Sequence, residues 1–204
     1  MLAFSSLLGN VEGQNIYRIW YDKPASYWEE ALPVGNGRIA AMVFGDPQLE
    51  QIQLNEETVS AGSSYQNYNE EAKTALPEMR RLIFEGKYEE AQNMAATKIL
   101  SQVGNEMPYQ TVGRLNIRYQ DHKKVNNYYR DLDISNAVAV TRYEVDGVEF
   151  TEETFASFTD QLVIRHIKAS KPGTINCELF FNTPMRDPKR SIYGKKGLRL
   201  EGIT

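Results

Sequence analysis

Apolar and polar residues alternate with period two along most of this chain, and the alternation gives way to helical spacing only once. Residues 16–21 (IYRIWY) alternate and predict a first strand, with Trp20 in its core-facing row, closed by Asp22-Lys23-Pro24. A loop carrying Trp28 leads to Leu32-Pro33-Val34 and then to Gly35-Asn36-Gly37. Asn-Gly is a strong turn signal, because both residues tolerate positive φ. Beyond the turn, residues 38–45 (RIAAMVFG) form an apolar run that predicts a strand covered on both faces. Asp46-Pro47 reverses the chain into residues 49–55 (LEQIQLN), with Leu49, Ile52 and Leu54 as the apolar positions and Glu50, Gln51 and Gln53 as the polar ones. Residues 30–62 thus read as a hairpin around which later strands build a sheet.

The helical stretch follows a polar, Asn- and Tyr-rich loop at 65–73. Leu76, Met79, Leu82 and Ile83 recur at spacings of three and four. Pro77 suits a first helical turn, and Gly86 suits a C-terminal cap. With Tyr88, Ala91 and Ile99 forming a second stripe, the pattern predicts an αα-hairpin around residues 76–101 inserted between strands. Alternation then resumes at 115–119, 137–145, 148–157, 161–169 and 174–183, with Asp146-Gly147 and Lys171-Pro172-Gly173 as turns. Residues 184–196 are basic and polar and read as a loop. Residues 197–204 (GLRLEGIT) begin a further strand, so the expectation is a mainly β domain over 15–204, truncated at its C-terminal end.

Composition changes this picture little. The 204 residues suit one all-β domain and need no covalent staples. A net charge of −4 argues against nucleic acid as partner, since phosphate binding needs a basic face. No apolar run reaches the ~18 residues of a membrane span. Residues 1–14 are apolar and small without a basic start, which leaves a disordered tail or the remnant of a signal peptide. The single cysteine, Cys177, excludes an internal disulfide and reads as a small buried hydrophobe.

Candidate chemistry is sparse. Glu29/Glu30, Glu56/Glu57, Asp131/Asp133 and Glu152/Glu153 are carboxylate pairs; adjacent strand residues point to opposite faces and do not flank one bond, while Asp131 and Asp133, two apart, are able to share a face. They read as solvated edges. Glu56 stands apart at the end of a buried-looking strand, in Asn55-Glu56-Glu57-Thr58. Such polar groups either cap the following turn or reach a site. His122 sits in a charged loop and reads as a surface residue, while His166 reads as a strand residue. Neither has a second histidine nearby, so no metal or other cofactor is expected. Trp28, in its loop, is placed to touch a sugar or another domain.

The ordered series IWYDKPASYWEEALPVGNGRIAAMVFG, QIQLNEETVSAG, LPEMRRLIFEGKYEEAQ, YQTVGRLNIRY, YRDLDISNAVAVTRYEVDGVEFTEETFAS and TDQLVIRHIKASKPG resembles the N-terminal domain of glycoside hydrolase family 95, over about residues 16–204. Its members are α-L-fucosidases, with some relatives acting on α-L-galactosides. The resemblance implies an antiparallel β-sandwich of the supersandwich type, joined in the parent to a catalytic barrel of paired helices. It implies an inverting mechanism whose acid Glu and Asp-supported Asn lie in that barrel, so no catalytic residue is carried over to this chain. It also implies a fucosylated glycan as the parent's substrate, a periplasmic or secreted bacterial location, and no cofactor. Trp28, Asn36, Asn55, Glu56, Thr58 and Ser60 become candidates for an active-site rim or an interdomain surface. Relatives read Asn-Glu-x-Thr-Leu-Trp-Ser-Gly where this chain has Asn55 to Gly62, so Ser60 replaces an aromatic.

Three readings follow. The first is a non-catalytic sandwich that docks on and shapes the catalytic barrel; cut from that barrel, it exposes an apolar patch open to self-association. The second is a free-standing carbohydrate-binding module, which calls for an exposed aromatic platform. The third is a catalytic sandwich, which calls for two carboxyls in one cleft.

Overall fold

A computed structural model describes residues 17–60, 67–101 and 108–203; the expectations for residues 1–14 lie outside that range. The described residues form two compact units. One runs to Val59 and resumes from Thr111 to Ile203, and the other is Ser60–Gln110.

The first unit holds every strand of the described residues. β1 (Arg18–Tyr21), β6 (Val125–Asp133), β7 (Val138–Val145), β8 (Val148–Ser157) and β9 (Leu162–Ala169) form one sheet in the order β1-β6-β7-β8-β9. β2 (Leu32–Gly35), β3 (Ile39–Val43), β4 (Leu49–Glu56), β5 (Gly113–Tyr119) and β10 (Cys177–Asn182) form the other, in the order β10-β5-β4-β3-β2. β11 (Arg186–Tyr193) and β12 (Gly197–Ile203) pair as a separate ribbon. Neighbouring strands are antiparallel throughout. Asp146 and Gly147 both take positive φ, and the Val145–Val148 pair closes the hairpin they make.

Alternate residues turn inward. Leu32, Val34, Ala41, Val43, Ile52 and Ile117 of one sheet pack with Leu132 and Ala139 of the other to form a continuous apolar core, with Cys177 half-buried against it. Full burial of each large aliphatic side chain there contributes roughly 1.5–3 kcal/mol. Gly45, at φ +75°, lets the chain leave β3 close against β6 and β7; an added Cβ would stand 2.8 Å from the Tyr128 hydroxyl and 2.9 Å from Arg130 Cδ. The fold is therefore the expected mainly β sandwich, with a helical hairpin inserted between β4 and β5.

Several local expectations are corrected. The strand β6 (Val125–Asp133) is not among the runs that alternation predicts; its register shifts between Asn126 and Tyr129, where Asn127 takes positive φ. Residues 186–193, read as loop, are the strand β11. Trp20 does not enter the core: Ile19 and Tyr21 alternate with it, and Trp20 takes the outer face, 61% exposed.

The second unit holds α1 (Ala72–Phe84), α2 (Tyr88–Met94) and a π turn at Ala95–Ile99. α1 starts four residues before the predicted boundary at 76. The side-chain oxygen of Asn69 accepts the Glu71 amide, its carbonyl accepts the Ala72 amide, and its Nδ2 donates to Thr97 O and Leu100 O, so the helix is anchored ahead of Pro77. Leu82 and Ala91 are its buried apolar residues, while Phe84 at the helix end is exposed.

Candidate functional site

The Asn36 turn and the end of β4 come together as one hydrogen-bonded tip. Asn36 Oδ1 accepts the amides of Arg38 (3.0 Å) and Ile39 (2.9 Å), which holds the turn tight. Its Nδ2 donates to the Ser157 carbonyl at 2.8 Å, tying β2 to the end of β8 in the facing sheet. Register places Ile39 opposite Glu56 and Ala40 opposite Asn55. Arg38 Nε donates to Glu56 Oε1 at 3.0 Å, while Thr58 donates to Oε2 from its amide (2.9 Å) and its hydroxyl (2.5 Å). The Thr58 hydrogen bonds and then the Arg38 partner hold the Glu56 carboxyl below its ordinary value of 4.5. Both Glu56 oxygens are thus engaged in closing the turn after β4.

Asn55 lines a cleft of about 360 Å³ beside this tip, with Leu54, Glu56, Leu162, Arg165 and Phe181 among its walls. Its Oδ1 is buried without a hydrogen-bond partner. Trp28 stands elsewhere, on a 3-10 turn (Trp28–Glu30), half-exposed. Arg130, fully buried, pins the ends of that loop by donating to Lys23 O (2.8 Å) and Glu30 O (2.7 Å). Ser60 belongs to the second unit, where it makes an isolated antiparallel bridge with Tyr109. So Asn36, Glu56 and Thr58 share one network, Asn55 borders it, and Trp28 and Ser60 do not join it.

A second polar cluster, which the sequence reading missed, lies between the sheets. Glu50 of β4 points inward with Ile52, and Glu152 of β8 points inward with Phe150 and Thr154; both glutamates are sealed from solvent. Arg165 of β9 joins them, donating to Glu50 Oε2 at 2.6 Å and to Glu152 Oε2. Tyr119 and Tyr143 hydroxyls donate to Glu152 Oε1 at 2.6 and 2.7 Å. Glu50 Oε1 accepts the amides of Phe44 and Gly45. Burial pushes the Glu50 carboxyl up to about 7, against the pull of Arg165. Burial lowers Arg165, but Glu50 and Glu152 outweigh it and hold the guanidinium above its ordinary value.

His122, expected at the surface, is only 5% exposed. It stacks on Tyr119 at 4.4 Å, packs against Phe150, and meets the Pro47 carbonyl through Nδ1 at 3.0 Å. Burial lowers its pKa and favours the neutral ring. A signal for Glu152 existed: it has the parity of Phe150 in 148–157, so it shares the buried row.

An acid poised near neutrality beside a second carboxylate has the ingredients of glycoside hydrolysis. Here every Glu50 oxygen is bonded inside the fold and neither glutamate reaches solvent, so no glycosidic oxygen can approach. This cluster locks the two sheets in register. Among the described residues no group of three or more His, Cys, Asp or Glu could hold a metal ion. None of their helices is long and apolar enough to cross a membrane.

Comparison with known proteins follows the same line. Alpha-L-fucosidase 2 of Arabidopsis thaliana is 36% identical over 181 residues, covering 86% of this chain and 21% of that protein. Probable alpha-fucosidase A of Aspergillus niger is 26% identical over 162 residues (74% of this chain, 20% of that protein), and its namesake in Aspergillus oryzae is 24% identical over 174 residues (80% and 23%). The chain spans about a fifth of the length of the curated relatives it matches. Residues 19–204 match the family described as "Glycosyl hydrolase family 65, N-terminal domain". With that match running through both sheets and the helical insertion, the chain belongs to the family of glycosyl hydrolase family 65 N-terminal domains.

Proposed function

We propose that this chain is the non-catalytic N-terminal β-sandwich of an α-L-fucosidase-like glycoside hydrolase of the family 95 kind, exported from a bacterial cell, and that it docks on and shapes a catalytic helical barrel in the same parent polypeptide. The observation that carries this reading is the fate of the carboxylates. The buried pair, Glu50 and Glu152, is committed to Arg165 inside the core, and Glu56 is committed to Arg38 and Thr58. Those commitments suit a scaffold. The matches to fucosidases over about a fifth of their length supply the class of parent.

The tip formed by Asn36, Arg38, Glu56 and Thr58, with Asn55 beside it, is the surface we assign to the barrel. It is polar, rigidly hydrogen-bonded and half-exposed, as an interface rim requires. The test uses a chromogenic α-L-fucoside. The 204-residue chain alone should give no turnover, and the parent protein carrying Arg38→Glu should lose activity with the sandwich still folded by circular dichroism. Turnover by the isolated chain would overturn the reading.

A further inference from the structure

The outer face of the first sheet carries an aromatic arrangement that neither the core nor the tip uses. Register sets Arg18 opposite Asp133 and Trp20 opposite Asp131, and it sets Tyr129 opposite Arg142 on β7. Residues two apart on a strand share a face, so Arg18, Trp20, Tyr129, Asp131, Asp133 and Arg142 form one grid. The Trp20 and Tyr129 rings lie 6.3 Å apart with only 19° between their planes. A large, well-exposed tryptophan so ordered against a neighbouring tyrosine is a platform.

The same face carries two arginines held by aspartates. Asp131 is wholly buried, and its carboxylate meets Arg18 at 3.3 Å and Arg142 at 3.6 Å. Asp133 holds Arg18 from the other side at 3.3 Å and caps the following turn through the amides of Ser135 and Asn136. The Tyr129 side chain also hydrogen-bonds Arg18. The two guanidinium groups, 33% and 49% exposed, stand beside the rings with solvent-facing N–H groups left over, because each carries five donors.

We propose that Trp20 and Tyr129, flanked by Arg18 and Arg142, bind a neutral pyranose. The C–H face of a sugar ring stacks on an aromatic surface, and its hydroxyl oxygens accept from fixed guanidinium N–H groups. Asp131 and Asp133 balance the two arginines, so the site offers no net charge to an anion. Asp131 acts as a positioning residue: it does not reach the ligand but holds both donors. The choice of sugars as ligand rests on membership of the glycoside hydrolase family, whereas the site itself does not depend on docking to a barrel.

The test is a titration of the ¹⁵N-labelled 204-residue chain with methyl α-L-fucopyranoside and methyl β-D-galactopyranoside, followed by the two tryptophan indole N–H resonances. Glycerol is the control for non-specific polyol effects. The expected result is a saturable shift of the Trp20 indole with at least one glycoside and none with glycerol, while the Trp28 indole stays in place. Trp20→Ala and Arg142→Met should each weaken binding about tenfold or more, with unchanged circular dichroism. Asp131→Asn should weaken it too and broaden the arginine side-chain resonances. No shift of the Trp20 indole up to the solubility of both glycosides, an equal shift with glycerol, or a shift only at Trp28 overturns the proposal. Because binding is read on the chain without any barrel, loss of the docking reading leaves this outcome unaffected.

Discussion

Two clusters in this molecule are built from the same parts and do opposite things. Between the sheets, Arg165 joins Glu50 and Glu152; at the tip, Arg38 joins Glu56. The first is dry and ties β4 to β8 and β9, with Glu50 and Arg165 lying 115 residues apart in sequence. The second is wet and closes a local turn. In water an ion pair exchanges solvation for contact at almost no net gain. Between sheets each charge has lost its water, so every partner becomes obligatory even though the whole triad need not exceed an apolar filling in stability. The buried cluster therefore specifies which strands face each other, and the exposed one shapes a surface.

The largest expected effect comes from breaking the buried cluster on one side. Arg165→Met leaves Glu50 and Glu152 facing each other without a cation and should cost about 3–5 kcal/mol in urea unfolding, or prevent folding outright. Replacing all three residues by apolar ones of similar volume should restore most of that loss. A single substitution tolerated within about 1 kcal/mol would mean the cluster is solvated, and the contrast with the tip would collapse.

Next comes pH. Burial raises the folded Glu50 carboxyl from 4.5 to about 7. Below the unfolded value both states hold the proton and the contribution is complete. As pH rises from 4.5 through 7, the unfolded chain ionises first, and stability is lost. Glu50→Gln removes this titration, so wild type should lose on the order of 3 kcal/mol relative to the variant across that window, measured by urea unfolding at each pH. A difference independent of pH would refute the raised value.

These two clusters also mark what the sequence could and could not convey. The hairpins at Asp146-Gly147 and Asn36-Gly37 were legible because turn chemistry is local, and so was the helical insertion. The tip was partly legible: Glu56 read as a cap or a site residue, and its bonds to Thr58 close the turn. Arg165, Glu50 and Glu152 were not assembled, because their meeting depends on which strands stack, and no spacing rule carries that. His122 was misread for the same reason. Charged neighbours made QDHKK look solvated, while Tyr119, Tyr143 and Phe150 arrive from three different strands to cover it. Trp20 was misplaced because a four-residue edge strand gives alternation too few positions to fix its parity.

A smaller effect is expected at Asn36. Its Nδ2 reaches across to the Ser157 carbonyl, and its Oδ1 takes two amides of its own turn. Asn36→Ala removes these bonds and the longer one to Gln161 Oε1, at a half-exposed site where water can replace some of them, so a loss of about 1–2 kcal/mol is expected. Asn36→Asp keeps the turn bonds and loses the donor to Ser157 and Gln161, and should fall between wild type and alanine. If aspartate proved as damaging as alanine, the tie between sheets, not the turn, would be what Asn36 supplies.

The smallest effect belongs to Glu56. This carboxylate stands partly in solvent, and Glu56→Gln retains an acceptor for Thr58, so the thermal midpoint at pH 7 should move by no more than roughly 3 °C. Its pH dependence, however, runs opposite to that of Glu50. Thr58 and Arg38 hold the folded carboxyl below 4.5, so its contribution is present above that value and is lost as pH falls through the lower folded value. Wild type and Glu56→Gln should thus converge in acid, whereas wild type and Glu50→Gln diverge as pH climbs toward neutrality. Two glutamates on the same strand, six residues apart, would then titrate with opposite sign, because one faces Arg165 in a dry interior and the other faces Thr58 and Arg38 in water.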